Sequence, residues 1–221
     1  MKHLAYISIF TLLLFSCGKS SNQLNKEAEA FEAKGEFHNS IPLLEEAIKK
    51  DPNNKHALIN LGVDYSLIGE YHKAIETYDQ LIKIDPKNGL AFLNRGKNKA
   101  RLNKQLEAID DYNSAINTQG NEMFQIRTNN NIMDLGAEFE VDLEEVLLQR
   151  GIAYFKTDSL QLSFKDLNYC ILKNYSLDIA HLWRGYIYIN YQDTINSCKD
   201  FHKALSLGDT TLKFEIKKFC Q

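Results

Sequence analysis

Apolar residues recur at helical spacing along most of the chain, and short polar breaks divide them into paired stretches. Spacing and breakers together predict helix pairs over 22–34/37–50, 54–67/71–84, 88–101/105–118, 142–156/160–173 and 177–190/193–206, followed by a short helix over 210–219. On that last helix Leu212, Ile216 and Phe219 share one side, as a cap on the open end of a stack requires. The stretch 121–141 breaks the pattern. Phe124, Ile126 and Thr128 alternate with polar residues, Asn129-Asn130-Asn131 marks a turn, and Phe139 and Val141 alternate again, which predicts a small hairpin or ordered loop.

The pairs repeat. Gly62 and Gly96 are 34 residues apart, Gly151 and Gly185 are 34 apart, and 96 to 151 is 34 plus 21. Gly35 and Gly69, and Pro52 and Pro86, are also 34 apart and fix the same register. In that register the midpoint of the first helix reads Ala28, Gly62, Gly96, Gly151, Gly185. Two slots on the second helix read Ser40, Ala74, Ala108, Ser163, Ser197 and Ala47, Leu81, Ala115, Cys170, Ala204. A glycine within a helix costs about 1 kcal/mol against alanine, so its recurrence means that backbones approach too closely there for a larger residue. Complementary slots carry large side chains: Phe31, Tyr65, Tyr154 and Tyr188 on first helices, and Leu44, Tyr78, Tyr112, Leu167 and Phe201 on second ones. Both sets are expected to act as knobs for the small-residue holes.

The period, with Leu61-Gly62 and Tyr65 followed by Ala74, Tyr78 and Pro86, resembles the tetratricopeptide repeat, and the resemblance covers about residues 21–208. Glu27 in an apolar slot and the missing closing proline after Asp85-Pro86 depart from the family pattern. The resemblance implies an all-α, right-handed α-solenoid of about five helix pairs, with a C-terminal cap (about 209–221) and a 21-residue insertion between repeats three and four. For the insertion two readings stand: a protrusion that touches a partner, or a loop tolerated because closure entropy grows slowly with length.

In such folds the first helices line a concave groove, and the inward slots here run from polar to aromatic. They read Asn60, Val63, Ser66; Asn94, Lys97, Arg101; Gln149, Ile152, Phe155; and Trp183, Tyr186, Ile189. A protein or peptide partner is therefore expected at Ile152, Phe155, Trp183, Tyr186 and Ile189, with Asn60, Asn94 and Lys97 at the polar end. Asn60 and Asn94 resemble part of a carboxylate clamp, but Ile59, Val63 and Leu90 leave its basic residues incomplete, so no such ligand is expected.

Charge narrows the partners. With 26 Lys and Arg against 29 Asp and Glu, the chain has no basic cluster of the kind that neutralises phosphates, and nucleic acid is not expected. Lys2 and His3 precede an apolar run, Leu4 to Phe15, too short for a membrane span and suited to a secretory signal. Its end, Leu14-Phe15-Ser16-Cys17, resembles a bacterial lipobox, although Phe15 is bulky. That implies removal of 1–16, lipidation of Cys17, a tether over 17–21 and a repeat domain over 22–221. Gly18 in place of aspartate resembles sorting to the outer membrane, facing the periplasm.

Arg95, Arg150 and Arg184 share one slot, and Asp111, Asp166 and Asp200 lie 16 residues after each. Arginine and aspartate occur together or not at all, so internal ion pairs explain them better than a ligand clamp. His38 and His72 share an outer corner and make poor metal ligands. Cys170 occupies a slot of small packing residues. Cys198 and Cys220 lie 11 residues before and after Asp209, which brings them level on antiparallel helices. A disulfide there requires closer approach than the usual 8–10 Å between axes.

These features point to a non-enzymatic, lipid-anchored scaffold or adaptor of the bacterial envelope, with no cofactor, metal or small-molecule substrate. The alternative of another class is an envelope enzyme or metal-dependent accessory using Cys198/His202 or the 121–141 insertion.

Overall fold

The computed structural model describes residues 18–118, 141–209 and 212–220. They form α1 (Ser21–Glu32), α2 (Phe37–Lys50), α3 (Lys55–Leu67), α4 (Tyr71–Ile84), α5 (Gly89–Arg101), α6 (Gln105–Thr118), α7 (Leu143–Lys156), α8 (Leu160–Leu172), α9 (Leu177–Asn190), α10 (Thr194–Ser206) and α11 (Lys213–Phe219). No strand occurs among the described residues. Residues 1–17, on which the expected signal segment and lipidated Cys17 fall, and nearly all of the 121–141 insertion lie outside the described residues.

Local chemistry sets the boundaries. Asn54 and Asn88, one repeat apart, each accept a backbone N–H three residues on and so cap α3 and α5. Ser20 and Gln23 form a reciprocal capping box on α1. The turn within each pair needs one residue in the left-handed region. That slot reads Gly35, Gly69, Asn103, Asp158, Gln192, and all five have positive φ. Glycine takes this conformation most readily, asparagine and aspartate next, and Gln192 holds it at the same slot. Where repeat four lacks the closing proline, Asn174 and Ser176 take positive φ instead.

Packing follows the glycine slots. A Cβ on Gly62 would lie 2.5 Å from the Tyr78 ring, on Gly96 2.7 Å from Tyr112, and on Gly185 2.6 Å from Phe201. Gly151 faces the smaller Leu167 at 3.2 Å. Leu44, Tyr78, Tyr112, Leu167 and Phe201 are wholly buried in these holes. Of the first-helix aromatics, Tyr65 is buried in the core as expected, and the other three differ. Phe31, Tyr154 and Tyr188 are half-buried, and Lys34 in the following turn, and Arg150 and Arg184 on the same helices, lie over their rings at 5.6–5.8 Å. Tyr154 and Tyr188 shield the paired Arg150 and Arg184 at the rim of the core instead of filling holes.

Consecutive first helices (α1, α3, α5, α7, α9) touch one another, whereas the second helices of neighbouring pairs make no comparable contact among the described residues. That asymmetry curves the stack and puts the first helices on its inner side. Repeats three and four stack directly, α6 on α7, despite the extra residues between them. Val141 returns the chain to the core, buried near Gly89.

Candidate functional site

The inner face is built from half-exposed side chains of the first helices. At its aromatic end Phe155 and Trp183 meet edge to face at 5.2 Å, with Tyr186 6.0 Å from Trp183. Ile152 and Phe155 lean on the buried cluster of Leu147, Leu148 and Leu167. Lys156 lies over the Trp183 ring at 5.9 Å. Tyr186 and Ile189 are not free groove residues. They pack with Phe201 and Leu212 beneath the cap, and the Tyr186 hydroxyl donates to Glu215 at 3.2 Å. The open part of the aromatic face is thus Ile152, Phe155 and Trp183.

At the polar end, Asn60 donates to Asn25 at 3.3 Å, and Ser66 donates to Asn98 at 2.7 Å. Lys97, expected to face a partner, instead pairs with Glu145 at 2.6 Å across the boundary of repeats three and four. Glu145 also accepts from Gln149 and from Tyr175. Burial alone would raise its pKa, but these donors and the Lys97 charge hold it below the usual carboxylate range. Sequence reading missed Glu145 because its partners come from repeat three, from its own helix and from the link that follows repeat four, and share no slot of the period. Near the first turn, burial, aided by the charges of Asp64 and Glu29, raises Glu32 to about 7. Its Oε1 is buried and meets no hydrogen-bond donor.

The arginine slot forms a different kind of structure. Arg95 donates through Nε and Nη2 to Asp111 at 2.9 and 2.6 Å. Arg150 does the same to Asp166 at 2.8 and 2.9 Å, and Arg184 to Asp200 at 2.7 and 2.8 Å. The three aspartates are at most 4% exposed. Burial would depress each guanidinium, yet these bidentate bonds raise all three pKa values above that of free arginine. The third nitrogen reaches the preceding repeat: Arg95 Nη1 to Asp79 at 2.6 Å, Arg150 Nη1 to Asn113 at 2.8 Å, and Arg184 Nη1 to Asn168 at 2.5 Å. Asp79, Asn113 and Asn168 share one slot of the repeat, and that periodicity was the available signal. Asp111 also accepts from Lys99 at 2.9 Å, and His181 Nδ1 lies 2.7 Å from Asp200. Every guanidinium is occupied, so this row binds no ligand through its arginines.

Cys198 and Cys220 form a disulfide with α-carbons 5.5 Å apart. The sulfur of Cys198 is therefore no thiolate ligand or nucleophile, and among the described residues no three His, Cys, Asp or Glu side chains converge as a metal site. Cys170 is buried, and burial pushes its thiol up to about 12, which leaves it inert at neutral pH.

A tetratricopeptide-repeat family model matches residues 32–94, which include the Leu61-to-Pro86 motif. No curated protein sequence matches the chain. Among solved structures, it is similar to MamA from Desulfovibrio magneticus RS-1 (14% identity, TM-score 0.68, covering 88% of this chain and 100% of that one). It is also similar to YrrB, described as a tetratricopeptide-repeat protein with an unusual peptide-binding site (15%, 0.68, 90% and 92%). A third likeness is to PilW, described as a widely conserved type IV pilus biogenesis factor (18%, 0.66, 84% and 76%). At such identities the likeness speaks for the fold alone: the chain has the α-solenoid fold of tetratricopeptide-repeat proteins, and residues 32–94 match that repeat in sequence as well.

Proposed function

We propose that the chain is a protein–protein interaction scaffold that binds a segment of a partner along its inner face and is held at a bacterial envelope membrane by lipid on Cys17. The observation that carries the first part is the half-buried row Ile152, Phe155 and Trp183, bulky apolar groups on the inner face formed by the first helices. Large aromatic groups on a rigid concave surface supply much contact area at low ordering cost, which suits a peptide or helix of a partner. The peptide-binding site named for YrrB and the role in type IV pilus biogenesis named for PilW are in keeping with this reading.

The membrane part rests on the residues Leu14 to Cys17, with outer-membrane attachment facing the periplasm as the preferred placement. A photo-crosslinking residue at Ile152 or Trp183, compared with one at the exposed His72, tests the groove in cells. Capture of one protein from the inner positions and not from His72 supports it; capture from His72 alone overturns it. Separately, the wild-type N-terminal peptide carries a fatty-acid mass that Cys17→Ser lacks, and an unlipidated wild type would remove the anchor from the proposal.

A further inference from the structure

The solenoid ends in an element that the repeat does not supply. α11 is seven residues long, too short to stay helical alone in water, and none of its residues is fully buried. It rests on α9 and α10 through Ile216 and Phe219, which pack with Leu182, Tyr186 and Ile189 around Phe201, and Leu212 is buried just before it. The slot of Tyr186 is that of Lys97 two repeats earlier, and both reach forward to a glutamate: Lys97 to Glu145 on the next first helix, Tyr186 to Glu215 on α11. α11 thus takes the place of a sixth first helix and covers a face shaped to accept one.

The contacts of so short a helix are few, and a covalent bond supplements them. Cys198 and Cys220 line an open surface hollow of about 690 Å³ together with Thr194, Ile195, Lys199, His202 and Phe219. A small thiol can enter such a hollow, and the Lys199 ammonium on its wall favours a departing thiolate. The opposite surface of α11 is poorly suited to hold it, since Phe214 is 70% exposed.

We propose that the Cys198–Cys220 disulfide is a redox latch that keeps α11 on the end of the aromatic face, and that reduction by a dithiol releases it. The attacking thiolate forms a mixed disulfide with one cysteine and expels the other as thiolate. The second thiol of the reductant then displaces the remaining cysteine. Cys198 and Cys220 end as thiols carrying the two protons of the dithiol, which leaves as a disulfide. Release bares Tyr186 and Ile189 beside Phe155 and Trp183, lengthening the apolar face. Only the use of that face by a partner rests on the groove reading; the latch does not.

Amide hydrogen exchange on the oxidised protein, the dithiothreitol-reduced protein and Cys198→Ser/Cys220→Ser tests it. By the loop-entropy relation, freeing a bond that spans 22 residues lowers protection of 212–220 by about two orders of magnitude, while 142–206 stays protected. Cap protection that is unchanged in both reduced forms overturns the latch. Loss of protection across the whole of 142–206 overturns it equally, because the bond is then a staple of the fold. Trp183, the one tryptophan of the chain, reports binding of a partner segment separately, so failure of the groove reading leaves the exchange result intact.

Discussion

Arg150 reaches back from α7 to Asn113 on α6 with Nη1 at 2.8 Å while its other two nitrogens clasp Asp166. One side chain therefore pins its own helix pair and ties that pair to the preceding repeat, across the boundary that holds the extra residues. The same division occurs at Arg95 and Arg184. The buried aspartate half is bidentate, and the other half is a single bond, to the amides of Asn113 and Asn168 and, at Arg95, to the exposed carboxylate of Asp79. Asp166→Ala, which strands a guanidinium, is expected to cost about 3–5 kcal/mol. Asn113→Ala is expected to cost about 1 kcal/mol. Urea unfolding of the two variants checks this, and equal losses would show that the two halves do not divide as described.

The glycine slots give a graded series. Gly62→Ala and Gly185→Ala drive a methyl against the rings of Tyr78 and Phe201 at 2.5 and 2.6 Å, and such overpacking costs about 1–3 kcal/mol. At Gly151 the nearest atoms, on Asp166 and Leu167, are 3.2 Å away, and the better helix propensity of alanine offsets the strain by about 1 kcal/mol. Gly151→Ala is thus expected to unfold within a few degrees of wild type, well above the other two. A Gly151→Ala variant as damaged as Gly62→Ala would contradict the packing described here.

The glycines show why so much of this fold was legible in sequence. A repeat samples each environment several times, so Gly62, Gly96, Gly151 and Gly185 report one close approach independently, and Arg95/Asp111 and its two copies report one ion pair. What escaped is what crosses the period. The slot of Lys97 points to a partner, but the side chain meets Glu145, whose other partners are Gln149 and Tyr175. The slots of Tyr186 and Ile189 point to the open groove, but the cap that packs on them is not a copy of the repeat, and no slot comparison says where it lies.

Glu32 makes stability depend on pH. Its folded pKa, about 7, lies above its unfolded value, so the folded state holds the proton more tightly over the range between them. The stabilisation is full below the unfolded pKa and is lost as pH rises through about 7. Glu32→Gln keeps the neutral shape without the charge. It is expected to match wild type at pH 5 and to melt a few degrees higher at pH 8. Thermal melts at both values decide it; a Gln variant no more stable than wild type at pH 8 would remove Glu32 from the account.

The aromatic face separates recognition from packing residue by residue. Trp183 is half-exposed beside Phe155, whereas Tyr186 lies between Phe201 and the cap and donates to Glu215. Removing an aromatic anchor from a binding surface costs about 2 kcal/mol or more, near thirtyfold in affinity. Trp183→Ala is therefore expected to weaken capture of the crosslinked partner by that order while the melting temperature falls only slightly. Tyr186→Ala is expected to do the reverse in the oxidised protein: it strips Phe201 and α11 of a neighbour, lowering stability and cap protection, and leaves affinity at the open end near wild type. Binding isotherms and melts on the two purified variants make the comparison. If Trp183→Ala loses stability and keeps its affinity, the row belongs to the core and the partner binds elsewhere on the solenoid.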